Sequence, residues 1–238
     1  MYRDPRGEHN RKMINESFFK DWSSEMSYVL GLIFSDGAVE DVRKSSRTCY
    51  FTISSNDRSL LTKVRKALSS NHVIYSKKPR VVKFTSGKSY LCRESFILRV
   101  GNKKMFDDLV DLGLTPRKSL KLVFPRVPPR YFSYFLRGYF DGDGCVMTWV
   151  PKGQFAHRVL VAFTSGCKDF LETLSEKLHS YINIGIKKVY KNGTAFNLVY
   201  RKKDGLKILS FMYRELNKVP FLDRKYAIYK KYLDALQT

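Results

Sequence analysis

A chain of 238 residues has room for one large domain or two of about 100–150 residues each. Its 43% hydrophobic content, with 15 Tyr and 17 Phe, excludes wholesale disorder. The 44 Lys and Arg against 22 Asp and Glu give a net charge of +22, which favours a phosphate polymer as partner over mere solubility or membrane-surface attraction.

In chain order, the spacing predicts a helix over 24–36, strands at 39–43 and 48–54, and a second helix over 57–69. Strands around 72–76 and 94–100 and a helix over 102–112 complete a first half, residues 1–119. Pro125, Pro128 and Pro129 mark residues 120–130 as an extended joint. The second half, residues 131–238, repeats the order. It has a helix over 131–143, strands at 145–150 and 158–164, a helix over 167–181, strands at 185–190 and 195–200, and a helix over 203–216. A further helix covers 223–236, and Asn192-Gly193 fits a type I′ hairpin turn. The expected class is therefore α+β, with two pseudosymmetric αββαββα halves.

The repeat is written in the residues. Val29-Leu30-Gly31-Leu32-Ile33-Phe34-Ser35-Asp36-Gly37 matches Leu136-Arg137-Gly138-Tyr139-Phe140-Asp141-Gly142-Asp143-Gly144. Gly31 to Gly138, Asp36 to Asp143 and Lys118 to Lys225 are each separated by 107 residues, and Ser55 to Ser165 by 110. A period of this length is a whole domain, not a solenoid unit. Gly31 and Ser35 share one helix face, as do Gly138 and Gly142, and small residues at that spacing let two backbones approach closely. Gly37 and Gly144 are natural helix stops, free to turn left-handed.

Asp36 and Asp143 then fall in the last helical turn, where the helix dipole disfavours negative charge by ~0.3–1 kcal/mol. Two paired helices would add mutual repulsion, and a divalent cation would relieve both faults. Hard oxygen ligands suit Mg²⁺, which keeps waters and accepts phosphate oxygens. Asp141 corresponds to Phe34 and has no partner in the first half, so a structural hydrogen bond or salt bridge is expected for it.

The four cysteines show no Cys-x-x-Cys and no His at ligand spacing, so reduced thiols in a reducing compartment are the default. No apolar run approaches the ~20 residues of a membrane span, and no signal peptide opens the chain. An intracellular protein, of an organelle such as a mitochondrion or chloroplast or of the bacterial cytoplasm, is the expectation.

The two motifs resemble the signature of the LAGLIDADG homing endonucleases in their single-chain, double-motif form, and the resemblance covers nearly the whole chain. It implies signature helices packed at a pseudo-twofold interface, saddle-shaped sheets in the DNA major groove, and a monomer that cuts both strands of a double-stranded target. The motif carboxylates Asp36 and Asp143 would bind Mg²⁺ (with Ca²⁺ or Mn²⁺ as substitutes in vitro), assisted by the backbone carbonyls of Ser35 and Gly142. Lys118 and Lys225 would stand near the scissile phosphates. Ser55 and Ser165 occupy the position of a water-positioning polar residue, where Gln is more usual.

If the sheets face DNA, alternate strand side chains reach base edges and phosphates. Candidates are Arg43, Lys44, Arg47, Lys77, Lys78, Arg80 and Lys83 in the first half. In the second they are Lys152, Arg158, Lys187, Lys188, Lys191, Arg201 and Lys202. Two rival readings are an intron maturase that binds RNA and a catalytically silent DNA-binding protein of the same architecture. Intact Asp36 and Asp143 argue against the second and leave the first open.

Overall fold

A computed structural model describes residues 12–43, 48–83, 87, 89–116, 122–153 and 155–237. The first half runs α1 (Ser24–Asp36), β1 (Gly37–Asp41), β2 (Cys49–Ser55), α2 (Arg58–Ala67), β3 (Ile74–Lys77), β4 (Arg80–Lys83), β5 (Ser89–Cys92), β6 (Ser95–Gly101) and α3 (Lys103–Asp111). A 3₁₀ turn at Pro129–Tyr131 leads into the second half. There follow α4 (Phe132–Asp143), β7 (Gly144–Trp149), β8 (Arg158–Ser165), α5 (Lys168–Ile182), β9 (Tyr190–Asn192), β10 (Ala195–Arg201), α6 (Lys202–Tyr213) and α7 (Asp223–Asp234).

Each half carries one four-stranded antiparallel sheet, and the strand orders correspond: β1-β2-β6-β3 and β7-β8-β10-β9. Alternation on the central strands decides which face is covered. Phe51 and Ile53 of β2 point into the core, as do Val159, Val161 and Phe163 of β8. Helices cover these faces, with α2 and α3 against β2 and α5 and α6 against β8. The opposite face of each sheet carries no helix among the described elements and stays open.

Between the sheets, α1 and α4 pack against each other over most of their length. From Met26 to Phe34 every residue of α1 is buried, so this helix reads as an interior element rather than an amphipathic surface one. Ser23 caps it, its Oγ accepting from the Met26 amide at 3.0 Å. The joint 122–128 is neither helix nor strand. It is nevertheless packed: Leu122 is buried, and Phe124 stacks on Phe170 with ring centres 4.9 Å apart.

Three local expectations are corrected. The hairpin β4–β5 lies in a stretch for which no strand was expected, and the second half has no such hairpin among its described residues. The strand expected at 185–190 forms only at Tyr190–Asn192, because Asn183 ends α5 in the left-handed region (φ 49°) and irregular chain follows. Asn192 pairs with Ala195, so Gly193 and Thr194 are the turn's central residues. Only Gly193 has positive φ (60°), the pattern of a II′ turn rather than I′.

Candidate metal centre and nucleic-acid interface

The glycines of the repeated motif set the helix crossing. A β-carbon at Gly31 would overlap the carbonyl oxygen of Phe135 and sit 2.9 Å from the Tyr139 nitrogen. One at Gly138 would overlap the Tyr28 carbonyl and sit 2.9 Å from the Leu32 nitrogen. The contacts are reciprocal, each glycine meeting the equivalent backbone atoms of the other helix, and both advance along the two helices together, so α1 and α4 run parallel and end at the same place. Gly37 and Gly144 stop the helices for another reason than expected. Both are extended (φ −96° and −89°), and a side chain there would collide with Ile33 and Phe140 as the chain enters β1 and β7.

Parallel ends bring the two acidic termini together. Asp36 Oδ2 lies 3.1 Å from where a β-carbon of Gly142 would stand, one residue from Asp143. The Tyr139 hydroxyl feels both carboxylates: burial raises its pKa most, and the charges of Asp143 and Asp36 raise it further. Asp36 is exposed and Asp143 half-buried, so the pair is open to a large ligand. Ser35 Oγ donates back to the Leu32 carbonyl at 3.0 Å. Among the described residues no three His, Cys, Asp or Glu side chains gather as a metal cage. A cation held here would therefore rely on two carboxylates plus carbonyl, water or phosphate oxygens. That set fits Mg²⁺, which keeps part of its water shell and shares phosphate ligands.

Lys225 occupies an unexpected place. It is 3% exposed, and its ammonium donates to the carbonyls of Phe140 (2.5 Å), Gly144 (2.6 Å), Asp141 (3.0 Å) and, more weakly, Gly142 (3.4 Å). It thus caps the C-terminal end of α4 and offsets part of the charge stress that the sequence located there. Burial depresses its pKa to about 8, against the opposing pull of Asp141. Its counterpart Lys118 lies outside the described residues, as do Lys44 and Arg47.

Asp141 behaves as a structural acid. It is fully buried and accepts from the Tyr28 hydroxyl (2.8 Å) across the helix pair and from the Leu222 amide (2.9 Å) ahead of α7. Burial raises its pKa to about 6. Ser55 and Ser165 make matching turns, each hydroxyl accepting at 3.0 Å from the amide two residues on, that of Asp57 or Cys167.

The open sheet faces collect part of the expected basic set. Strand alternation puts Lys77 on this face with Tyr75, and Arg158 and Arg201 with Trp149 and Tyr190. Lys187, Lys188, Arg201 and Lys202 line one open groove with Lys203. Lys191, opposite Phe196, sits at the exposed tip of the β9–β10 turn, and Lys152 lies in the exposed turn after β7. Arg80 and Lys83 belong to the β4–β5 extension, and Lys78 lies in the link between β3 and β4. Arg43, just past β1, is engaged by Asp41, with Nε 2.9 Å from Oδ1, and this guanidinium holds the Asp41 pKa at about 2. Arg99 was missed. It projects from the open face of β6, paired with Glu40 (2.7 Å) and 4.0 Å above the Tyr50 ring. Its alternation with buried Leu98 and Val100 was the available signal.

Comparison with known proteins agrees with this architecture. Residues 136–236 match the family described as LAGLIDADG endonuclease. The fold is similar to that of the I-LtrWI LAGLIDADG homing endonuclease bound to target DNA, at 16% identity, over 94% of this chain and 92% of that one, with a TM-score of 0.52. It is also similar to I-GzeII in complex with DNA target (10% identity, 91% and 89% covered, TM-score 0.57). A third similar structure is a mesophilic variant of the homing endonuclease I-DmoI (16%, 91% and 99%, 0.55). Among curated proteins, a reverse gyrase of Methanocaldococcus jannaschii is 28% identical over 135 residues, 56% of this chain. The chain spans 8% of that protein's length. The sequence match to that family therefore covers the second half, residues 136–236, while the likeness to these solved structures is one of fold and extends over about nine-tenths of the chain. Among the described residues no helix is long and apolar enough to cross a membrane.

Proposed function

We propose that the chain is a site-specific endonuclease that hydrolyses both strands of a long, asymmetric duplex DNA site with Mg²⁺. The observation that carries this reading is the parallel α1–α4 crossing, which sets the Asp36 carboxylate beside Gly142, the residue that precedes Asp143. Asp36 and Asp143, with the Ser35 and Gly142 carbonyls, would hold the metal. A bound divalent ion supplies charge neutralisation at phosphate and an acidified water.

This chain's own residues do the rest. The open sheet faces, with Lys77, Arg99, Arg158 and Arg201, would seat the duplex so that the scissile phosphates lie over the helix ends. Lys225 would act through the carbonyl frame it holds at the end of α4 and keep that frame in position. That similar proteins are found bound to DNA targets supports duplex DNA as the substrate. The two faces carry different side chains, which supports an asymmetric site.

The test is direct. With a duplex selected from a randomised library, Asp36→Asn and Asp143→Asn should each abolish double-strand cleavage in Mg²⁺ and leave binding in Ca²⁺ largely intact. Undiminished cutting by either variant would remove the metal assignment.

A further inference from the structure

The β4–β5 hairpin is a direct continuation of the β3–β6 ladder. Lys77 pairs with Ser95, and three residues further out Arg80 pairs with Cys92, in the same register. The ladder is interrupted only at Lys78-Pro79 and Arg93-Glu94, where Pro79 has no N–H to donate. The second half allows a measured comparison. Tyr75 faces Ile97 on β6, and Tyr190 faces Asn197 at the matching place on β10. Beyond Tyr75 the first ribbon runs eight more residues to the Lys83–Ser89 pair, whereas beyond Tyr190 the second runs two more to Asn192–Ala195. Six extra residues at ~3.3 Å each make the first arm longer by roughly 20 Å, about six base pairs of duplex.

The extension is basic and unburied. From Arg80 to Arg93 the chain carries Arg80, Lys83, Lys88 and Arg93 and no acidic residue. Val81 and Leu91, directly opposite each other, are 60% and 70% exposed. A two-stranded ribbon with its apolar pair in water is marginal on its own. The major groove admits such a ribbon and offers thymine methyls to apolar side chains and phosphates to the cations. Two copies of the same cationic ribbon would instead repel each other.

We propose that this hairpin reads the outer major groove on one side only, so that the first half contacts a DNA half-site several base pairs longer than the second half does. The inference rests on the DNA-binding reading above and deepens it.

The experiment uses the full-length chain and a randomised duplex library selected for binding in Ca²⁺. Informative positions should extend about six base pairs further from the centre on one side. Replacing residues 80–92 with Asn-Gly should trim that side alone. A triple variant that keeps the ribbon, Arg80→Ala/Lys83→Ala/Arg93→Ala, should lower the slope of log affinity against log salt by up to about 2.7. Arms of equal length, or a shortened variant and a triple variant that alter neither the long arm nor the salt slope, would overturn the inference and leave the endonuclease reading standing. A concentration-dependent dimer lost with the hairpin while the DNA preference stays unchanged would overturn it in favour of a protein partner. Failure to enrich any duplex would sink both readings.

Discussion

Gly138→Ala is a severe test of the helix crossing, because a single methyl group decides between two opposite outcomes. On an isolated helix this change would stabilise by ~1 kcal/mol through propensity. Here the new β-carbon would overlap the Tyr28 carbonyl oxygen and crowd the Leu32 nitrogen, both backbone atoms that no rotamer change can move. Restoring normal contact requires the helices to part by on the order of 1 Å, which strips close packing from much of the α1–α4 seam. Overpacking of this kind costs about 1–3 kcal/mol. The cost exceeds or cancels the propensity gain, and the carboxylate pair at the helix ends is displaced. Urea denaturation should show a lower midpoint at unchanged slope, and cleavage should fall more than binding. Gly185→Ala is the control, since its nearest neighbours are the flexible end of Lys187 at 3.5 Å and beyond, and it should be neutral or slightly stabilising. A Gly138→Ala protein as stable as the parent, and as active, would refute the close crossing.

Three further outcomes follow from the same geometry. DNA binding should weaken steeply with salt, because many phosphates are neutralised at once, and a flat response measured by anisotropy would count against the open faces as the DNA surface. Lys225→Met should cost about 2–4 kcal/mol in chemical denaturation, since four carbonyls lose their donor in a buried place. A stability equal to the parent's would show that the ammonium is dispensable. Asp141 has its pKa raised by burial from 3.8 to about 6, so the folded state holds the proton more tightly than the unfolded chain does. Its contribution is present in full below about pH 4 and is lost as the pH climbs to about 6. Relative to the parent, Asp141→Asn should therefore gain about 2–3 kcal/mol between pH 4 and pH 7 in the presence of chelator, and a constant difference would contradict a buried, ionising carboxyl.

The repeat was legible because both copies obey the same constraint. A backbone-to-backbone crossing leaves only glycine at Gly31 and Gly138, and the sequence cannot drift there without parting the halves. The sheets were legible through alternation on β2 and β8. The β4–β5 hairpin was not, since an exposed two-stranded ribbon has no buried face and so leaves no periodic apolar pattern. The constant separation of 107 residues also concealed it. Phe96 and Phe196 occupy matching places opposite Ser55 and Ser165. There the separation has fallen to 100, against 110 at the two serines. The longer hairpin is compensated by a longer α5 (15 residues against 10 in α2) and a longer segment after β10. The role of Lys225 was hidden for a different reason. Whether an ammonium faces a phosphate or a helix end depends on burial, which nothing in a run of Asp223-Arg224-Lys225 announces.

The two halves have diverged in what they add to the common plan, and the buried polar residues of α4 show why. By the repeat, Arg137 and Asp141 stand where the first half has Leu30 and Phe34, both buried in an apolar setting. In the second half the chain does not end with its third helix but continues into α7, and that continuation buries backbone groups which need partners. Arg137 meets this need at the end of α6, donating to the carbonyls of Met212 (2.7 Å) and Glu215 (3.2 Å), and Asp141 accepts the Leu222 amide. These bonds fix the register of α7 against α4, and Lys225 is carried on α7 to the carbonyls beside Gly142 and Gly144. Tyr28 ties α1 into the same network through Asp141. The charged residues inside α4 therefore act on the candidate metal centre from behind, by setting where the end of the helix lies. A hydrophobic replacement such as Arg137→Leu would copy the first half's residue and leave the Met212 and Glu215 carbonyls unpaired. It should loosen α7, which hydrogen exchange at the Leu222 and Tyr226 amides would reveal, before it disturbs either sheet. Faster exchange throughout β8 and β10 instead would mean that Arg137 supports the whole half and has no special bond to its end.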